Sequence, residues 1–221
     1  MLAQEDIGLN EINISFTLLS SIMLIGLTGR NASGKSTLVN WFAEKGLRSV
    51  SCSDSIREWL KNQNKQISRD SLIEGGRTLR KEGGGGILAE MLLEIIDGAD
   101  AVVDSIRTPM EVDVLRSRGD LILIEIKASE DRRWSRLQDR ARPGDPVNKL
   151  LFIKQENKEI KSKDEAGQAL DATALMADIQ ITNDGTIDDL YLKLDKILID
   201  LILARLAFFL YRNIFYYYNN Y

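Results

Sequence analysis

Apolar positions along the chain fall into short unbroken runs separated by stretches with helical spacing. Residues 22–28, 47–51, 101–104, 120–127 and 178–182 are such runs, and each has the length of a buried strand. Between them, residues 35–45 place Leu38, Val39 and Phe42 on one helical face. Residues 53–62 read as a helix capped by Ser53 or Asp54. Residues 69–82 and 87–96 read as two helices divided by the glycines at 83–86. Helices are also predicted at 109–117, with Pro109 in the first turn, and at 130–140, 147–162 and 187–203. Strands that alternate with helices imply βαβ units. The expected architecture is therefore α/β, a parallel sheet of about five strands with helices on both faces.

The two ends stand apart from this pattern. Residues 1–22 carry no clear period, and Met23 at the head of the first strand is a plausible alternative start, so 1–22 reads as an N-terminal extension. Eight of the 15 aromatic residues lie between Phe208 and Tyr221, which marks 204–221 as an atypical aromatic tail. Residues 23–203 remain as the expected single domain. The apolar stretch 197–211 is interrupted by Asp200 and Arg205, so it is not expected to span a membrane. The acidic leader lacks the basic start of a secretory signal.

Composition removes several kinds of chemistry. The net charge is −4, which argues against nucleic acid as a partner. There is no histidine, so triads, zinc sites and general bases that need one are excluded. Cys52 is the only cysteine; no internal disulfide can form, which fits a reducing, cytoplasmic location.

One motif carries specific chemistry. Residues 29–36, Gly-Arg-Asn-Ala-Ser-Gly-Lys-Ser, match G-x-x-x-x-G-K-[ST] between a predicted strand and a predicted helix. Backbone N–H groups of Gly29, Asn31, Ala32, Ser33, Gly34, Lys35, Ser36 and Thr37 are expected to cradle the phosphates of ATP. Lys35 would reach the β- and γ-phosphates, and the Ser36 hydroxyl would serve Mg²⁺. Asp104 ends the third strand and is the expected second magnesium-side group. A guanine-reading N-K-x-D is missing, because Asn148-Lys149 is followed by two leucines. Asp104 is followed by Ser-Ile-Arg rather than a second acid, unlike most ATP-driven machines. The fold expectation sharpens to a three-layer P-loop NTPase fold.

Arginines gather where the strands are predicted to end. Arg107 follows the third strand, Arg57 lies one turn beyond Asp54, and Arg77 and Arg80 sit three apart on one helix. Arg133, Arg136, Arg140 and Arg142 form a run ending in Pro-Gly-Asp-Pro, as an Arg-rich lid would. Such a set would clamp a small phosphate-bearing acceptor and exclude water.

These stretches, in order, resemble the dephospho-CoA kinase and adenylate-kinase-like group of P-loop kinases. They resemble more closely a kinase-like family widespread in archaea, and the kinase-like N-terminal domain of some bacterial deoxycytidylate deaminase proteins. The resemblance rests on Leu24-Ile-Gly-Leu-Thr-Gly with Ser-Gly-Lys-Ser, Ser-Asp-Ser-Ile-Arg57, Gly-Arg-Thr-Leu-Arg80, Val-Asp-Ser-Ile-Arg107 with Glu111-Val, Arg140-Ala-Arg-Pro-Gly-Asp-Pro146, and Ala177-Asp-Ile-Gln-Ile-Thr-Asn183-Asp-Gly185. It implies a phosphotransferase acting on a nucleotide-like acceptor. Asn183 would lie near the adenine, Arg140 and Arg142 would act as lid arginines, and Asp54, Arg57, Arg77, Arg80 and Arg107 would face the acceptor. The alternative it implies is a regulatory module that binds ATP or a deoxynucleotide with little turnover, functionally linked to a deaminase partner. No deaminase activity carries over, since the chain holds no histidine for the zinc motif.

Overall fold

The computed structural model describes residues 23–141, 145–160 and 169–220. The expected extension at 1–22, Arg142 of the expected lid and Tyr221 lie outside these residues.

Five strands form one parallel sheet: β1 (Leu24–Thr28), β2 (Arg48–Ser51), β3 (Ala101–Asp104), β4 (Leu121–Lys127) and β5 (Ile179–Thr182), in the order β2-β3-β1-β4-β5. The register pairs Thr28 with Glu125, Ser51 with Asp104 and Lys127 with Thr182. All five strands point the same way, so all five ends, and the loops that leave them, share one edge. Ligands of open α/β sheets gather at that edge.

The helices are α1 (Lys35–Glu44), α2 (Cys52–Asn62), α3 (Arg69–Gly83), α4 (Ile87–Ile96), α5 (Pro109–Arg116), α6 (Glu130–Arg140), α7 (Lys149–Ile160), α8 (Leu170–Leu175) and α9 (Ile187–Asn220). Strand alternation sorts the core into two layers. Leu24, Ala101, Val103 and Leu123 face α2, α4 and α5. Ile25, Leu27, Val102, Ile124 and Ile126 face α1 and α9, where Leu38, Trp41, Phe42, Leu190 and Leu194 close the other side. Helices on both faces of a parallel sheet make the three-layer α/β arrangement that the sequence predicts.

Three details differ from the sequence expectation. The N-cap of α2 is Ser51, with Asp54 as the third residue of a capping box rather than the cap itself. The short α8 has no counterpart in the prediction, because one and a half turns carry too little periodicity to read. Helix α9 does not stop at Leu203 but runs to Asn220. No proline or glycine interrupts residues 187–220, so nothing in the backbone ends the helix there. Among the described residues no helix is long and apolar enough to cross a membrane.

Candidate phosphate-binding site

The loop between β1 and α1 has the backbone of a phosphate cradle. Gly29 (φ 137°) and Gly34 (φ 118°) both occupy the left-handed half of conformational space, which costs glycine little. A Cβ at Gly29 would strike the Ile126 carbonyl, and one at Gly34 would strike the Asn183 amide. The loop is thus held close against β4 on one side and the β5–α9 turn on the other. Gly34 is the N-cap of α1 and no side chain caps that helix, so its first N–H groups open into the loop. Lys35 folds back along the loop, its Nζ donating to the carbonyls of Gly29 (2.6 Å) and Arg30 (3.1 Å). The Ser33 hydroxyl is buried without a hydrogen-bond partner.

Two side chains from distant parts of the chain brace this loop. Arg136 of α6 donates from Nη1 to the Ser33 carbonyl (3.1 Å) and from Nη2 to the Asn183 carbonyl (2.8 Å). Burial, with Arg132 nearby, lowers the pKa of Arg136. The amide of Asn183, only 6% exposed, donates to the same Ser33 carbonyl at 2.8 Å. The loop that follows β5 therefore lies beside the phosphate loop. The Asn183 side chain itself, however, is committed to bracing the loop rather than to reading a base.

Arg140, expected as a lid arginine, reaches the same place. Its guanidinium forms a fork with Asp145 (2.8 and 2.9 Å), and Nη2 also donates to Asn31 Oδ1 of the phosphate loop at 3.2 Å. Below it, Arg133 is buried and paired with Glu156 of α7, which ties the two helices of this segment together. Burial, with Arg30 as the second cause, brings the Arg133 pKa down to about 10, so its guanidinium stays charged at neutral pH.

On the β2–β3 side the expected acceptor residues divide. Asp54 accepts from the Ser51 backbone N–H (2.7 Å) and from Arg57 (2.6 Å), so these two candidates bond one another at the head of α2. Arg77 is exposed on α3. Arg80 differs from Arg77: its side chain is largely buried in a 2.9 Å ion pair with Glu111, a structural partner the sequence expectation did not include. Glu111 also accepts from the backbone N–H groups of Arg107 (2.8 Å) and Thr108 (3.2 Å). Arg107 is thus held at the sheet edge by a buried carboxylate. Asp104 ends β3 one strand from the phosphate loop, and its Oδ1 accepts from the Ser105 N–H at 2.6 Å.

No family model matches the chain. Curated relatives do. The UPF0200 protein of Methanocaldococcus jannaschii is 27% identical over 186 residues, covering 82% of this chain and 91% of the relative. That of Halobacterium salinarum is 30% identical over 175 residues, covering 75% of this chain and 86% of the relative. The chain belongs to the UPF0200 family. The expected resemblance to an archaeal family is met by these relatives, and their names assign no activity.

Solved structures place this UPF0200 chain by fold. It is similar to a shikimate kinase from Bacteroides thetaiotaomicron (TM-score 0.54, 19% identity, 80% of this chain and 99% of the other). It is also similar to the shikimate kinase from Acinetobacter baumannii crystallised with shikimate (TM-score 0.51, 16% identity, 83% and 97%). At these identities the likeness establishes the P-loop kinase fold and nothing finer.

The bracing role of Arg136 and the anchoring role of Glu111 in this UPF0200 chain were not foreseen. Glu111 had a legible signal, because Thr108-Pro-Met-Glu111 spells a capping box whose acid sits beside the Arg107 strand end. Arg136 had none, since nothing in one sequence distinguishes it from Arg132 or Arg133 on the same helix.

Proposed function

We propose that this chain is an ATP-dependent phosphotransferase for a nucleotide-like small molecule. The observation that carries the reading is the reach of Arg140 to Asn31, which sets the arginine-bearing segment over a phosphate loop already formed between β1 and α1. A triphosphate fits what the loop offers: open N–H groups at the start of α1, glycines that let the loop lie tight against β4 and the β5–α9 turn, and a buried Ser33 hydroxyl lacking a partner. Magnesium suits the donors nearby, the Ser36 hydroxyl and the Asp104 carboxylate. It prefers hard oxygen ligands and keeps several waters. Bound there, it would offset negative charge on the phosphates.

The chain's own residues do the rest. Lys35 exchanges its carbonyl partners for phosphate oxygens, and Arg140 and Arg107 supply cations around the moving group. The bond from the γ-phosphorus to its bridging oxygen breaks as the acceptor oxygen bonds to phosphorus, and ADP leaves. A phosphate acceptor is already a nucleophile. A hydroxyl acceptor must lose a proton, and Asp54 is the carboxylate to which we assign that role.

The test is a coupled ADP-release assay over nucleoside monophosphates and dephospho-CoA, with MgATP binding measured in parallel. Acceptor-dependent release that is lost in Lys35→Ala is expected. Asp54→Asn should cripple a hydroxyl acceptor and largely spare a phosphate acceptor; a near-normal rate with dephospho-CoA removes the base role. MgATP binding without release for any acceptor would replace the phosphotransferase with a nucleotide-sensing module.

A further inference from the structure

Arg140 ends α6 beside the phosphate loop, and the way its guanidinium is held there is specific. A guanidinium offers two edges to a bidentate partner. The side edge is Nε–H with one Nη2–H; the end edge is the other Nη2–H with an Nη1–H. Asp145 takes the side edge, its Oδ2 2.9 Å from Nε and its Oδ1 2.8 Å from Nη2. The second Nη2 hydrogen therefore lies on the end edge, and Nη2 also reaches Asn31 Oδ1 of the phosphate loop at 3.2 Å. The end edge is thus the one turned to the loop, and Nη1 takes part in neither contact.

Two observations separate this pair from a simple staple between α6 and α7. The two helices are already fastened elsewhere. Arg133 pairs with Glu156 and lies 5.4 Å over the Phe152 ring, the Trp134 and Phe152 rings meet at 5.7 Å, and Lys149 bridges to Asp131 at 2.6 Å. Burial also differs. The Asp145 side chain is 11% exposed, against 86% for Asp131 in its bridge to Lys149. A carboxylate withdrawn from water beside a phosphate loop repels an incoming anion, and that cost needs a return. The return on offer is a guanidinium fixed in plane. Arg136, one turn earlier on α6, fixes the helix as well, because it donates to the Ser33 carbonyl at 3.1 Å. Arg140 is therefore set from both ends, its backbone by α6 and its side chain by Asp145.

We propose that Asp145 is a positioning residue that turns the end edge of Arg140 toward the γ-phosphoryl group of the bound nucleotide. Asn31 Oδ1 holds the place that a phosphate oxygen takes when nucleotide enters. The proposal rests on the phosphotransferase reading and deepens it, by naming what aims the arginine at the moving group.

Calorimetry of the full chain with MgATP and with MgADP tests it without any acceptor, because the ratio of the two affinities reads the γ-phosphoryl contact. Asp145→Asn should lower the preference for MgATP by about tenfold, the order of magnitude of one charge-assisted hydrogen bond. Arg140→Ala should lower it at least as far. Adding Asp145→Asn to Arg140→Ala should lower it no further, since Asp145 acts through Arg140. Asp131→Asn, which cuts the Lys149 bridge between the same two helices, should leave the ratio unchanged. In ADP release, Asp145→Asn should lower kcat more than it changes the KM for MgATP. An unchanged or raised MgATP preference in Asp145→Asn, a further loss in the double variant, or an equal loss in Asp131→Asn overturns the proposal. The expected loss of preference with no ADP release for any acceptor would sink the kinase reading alone. Acceptor-dependent release with an unaltered ratio in Asp145→Asn would sink the role of Asp145 alone.

Discussion

The residue that does most for the site without entering it is Glu111. It is fully buried, takes two backbone N–H groups at the head of α5, and holds Arg80 of α3. Removing one partner of a buried ion pair leaves the other charge uncompensated, which costs far more than the pair contributes when intact. Arg80→Met should therefore destabilise the chain by about 3 kcal/mol or more in urea unfolding. Glu111 then also loses the charge that balances it beneath Arg107. Cys52 sits near the same cluster, and burial, with Glu111 as the second cause, raises its thiol pKa well above the usual value. This site shows what a single sequence hides. Arg77 and Arg80 share a spacing and a residue type, yet one is exposed and the other is buried against an acid from a different helix. Only the tertiary contact separates them.

At the scale of elements, strands and their helices were legible almost to the residue. β3 and α6 fall at the predicted bounds, and the glycine run separates α3 from α4 as expected. Those boundaries were written in local chemistry: glycines, capping hydroxyls and Pro109. The end of α9 was not, since composition changes there without any residue that breaks a helix. Helix α6 carries a feature with a measurable consequence. Its C-cap, Ala141, adopts a left-handed conformation (φ 40°), where a Cβ is unfavourable and glycine is the usual occupant. Ala141→Gly should stabilise the chain by about 1 kcal/mol in urea unfolding, because the strain of a left-handed L-residue is relieved. The same substitution loosens the joint between α6 and the segment holding Asp145, so any acceptor-dependent rate should fall while stability rises.

For the molecule as a whole, the fold was readable because strand and helix periods alternate and one motif fixes the sheet edge that matters. The site was readable only as a set of residues near that edge. Which of them touch the loop, which brace it and which serve the core depended on side-chain directions that no spacing encodes. Strand order adds a further property. β1 lies in the middle and pairs with β3 and β4, both far along the chain, while β5 closes the edge last. A chain ending at Asp178 lacks β5, Asn183 and the core-closing α9, so it should keep helical circular dichroism but lose a sharp cooperative unfolding transition. Full cooperativity in that fragment would show that β5 and α9 are dispensable. The brace from Asn183 to Ser33 also spans 150 residues. During synthesis at about 5–20 residues per second, the phosphate loop would leave the ribosome on the order of ten seconds before the residue that steadies it. The phosphate loop, among the first parts of the fold to be made, is thus among the last to be fully braced.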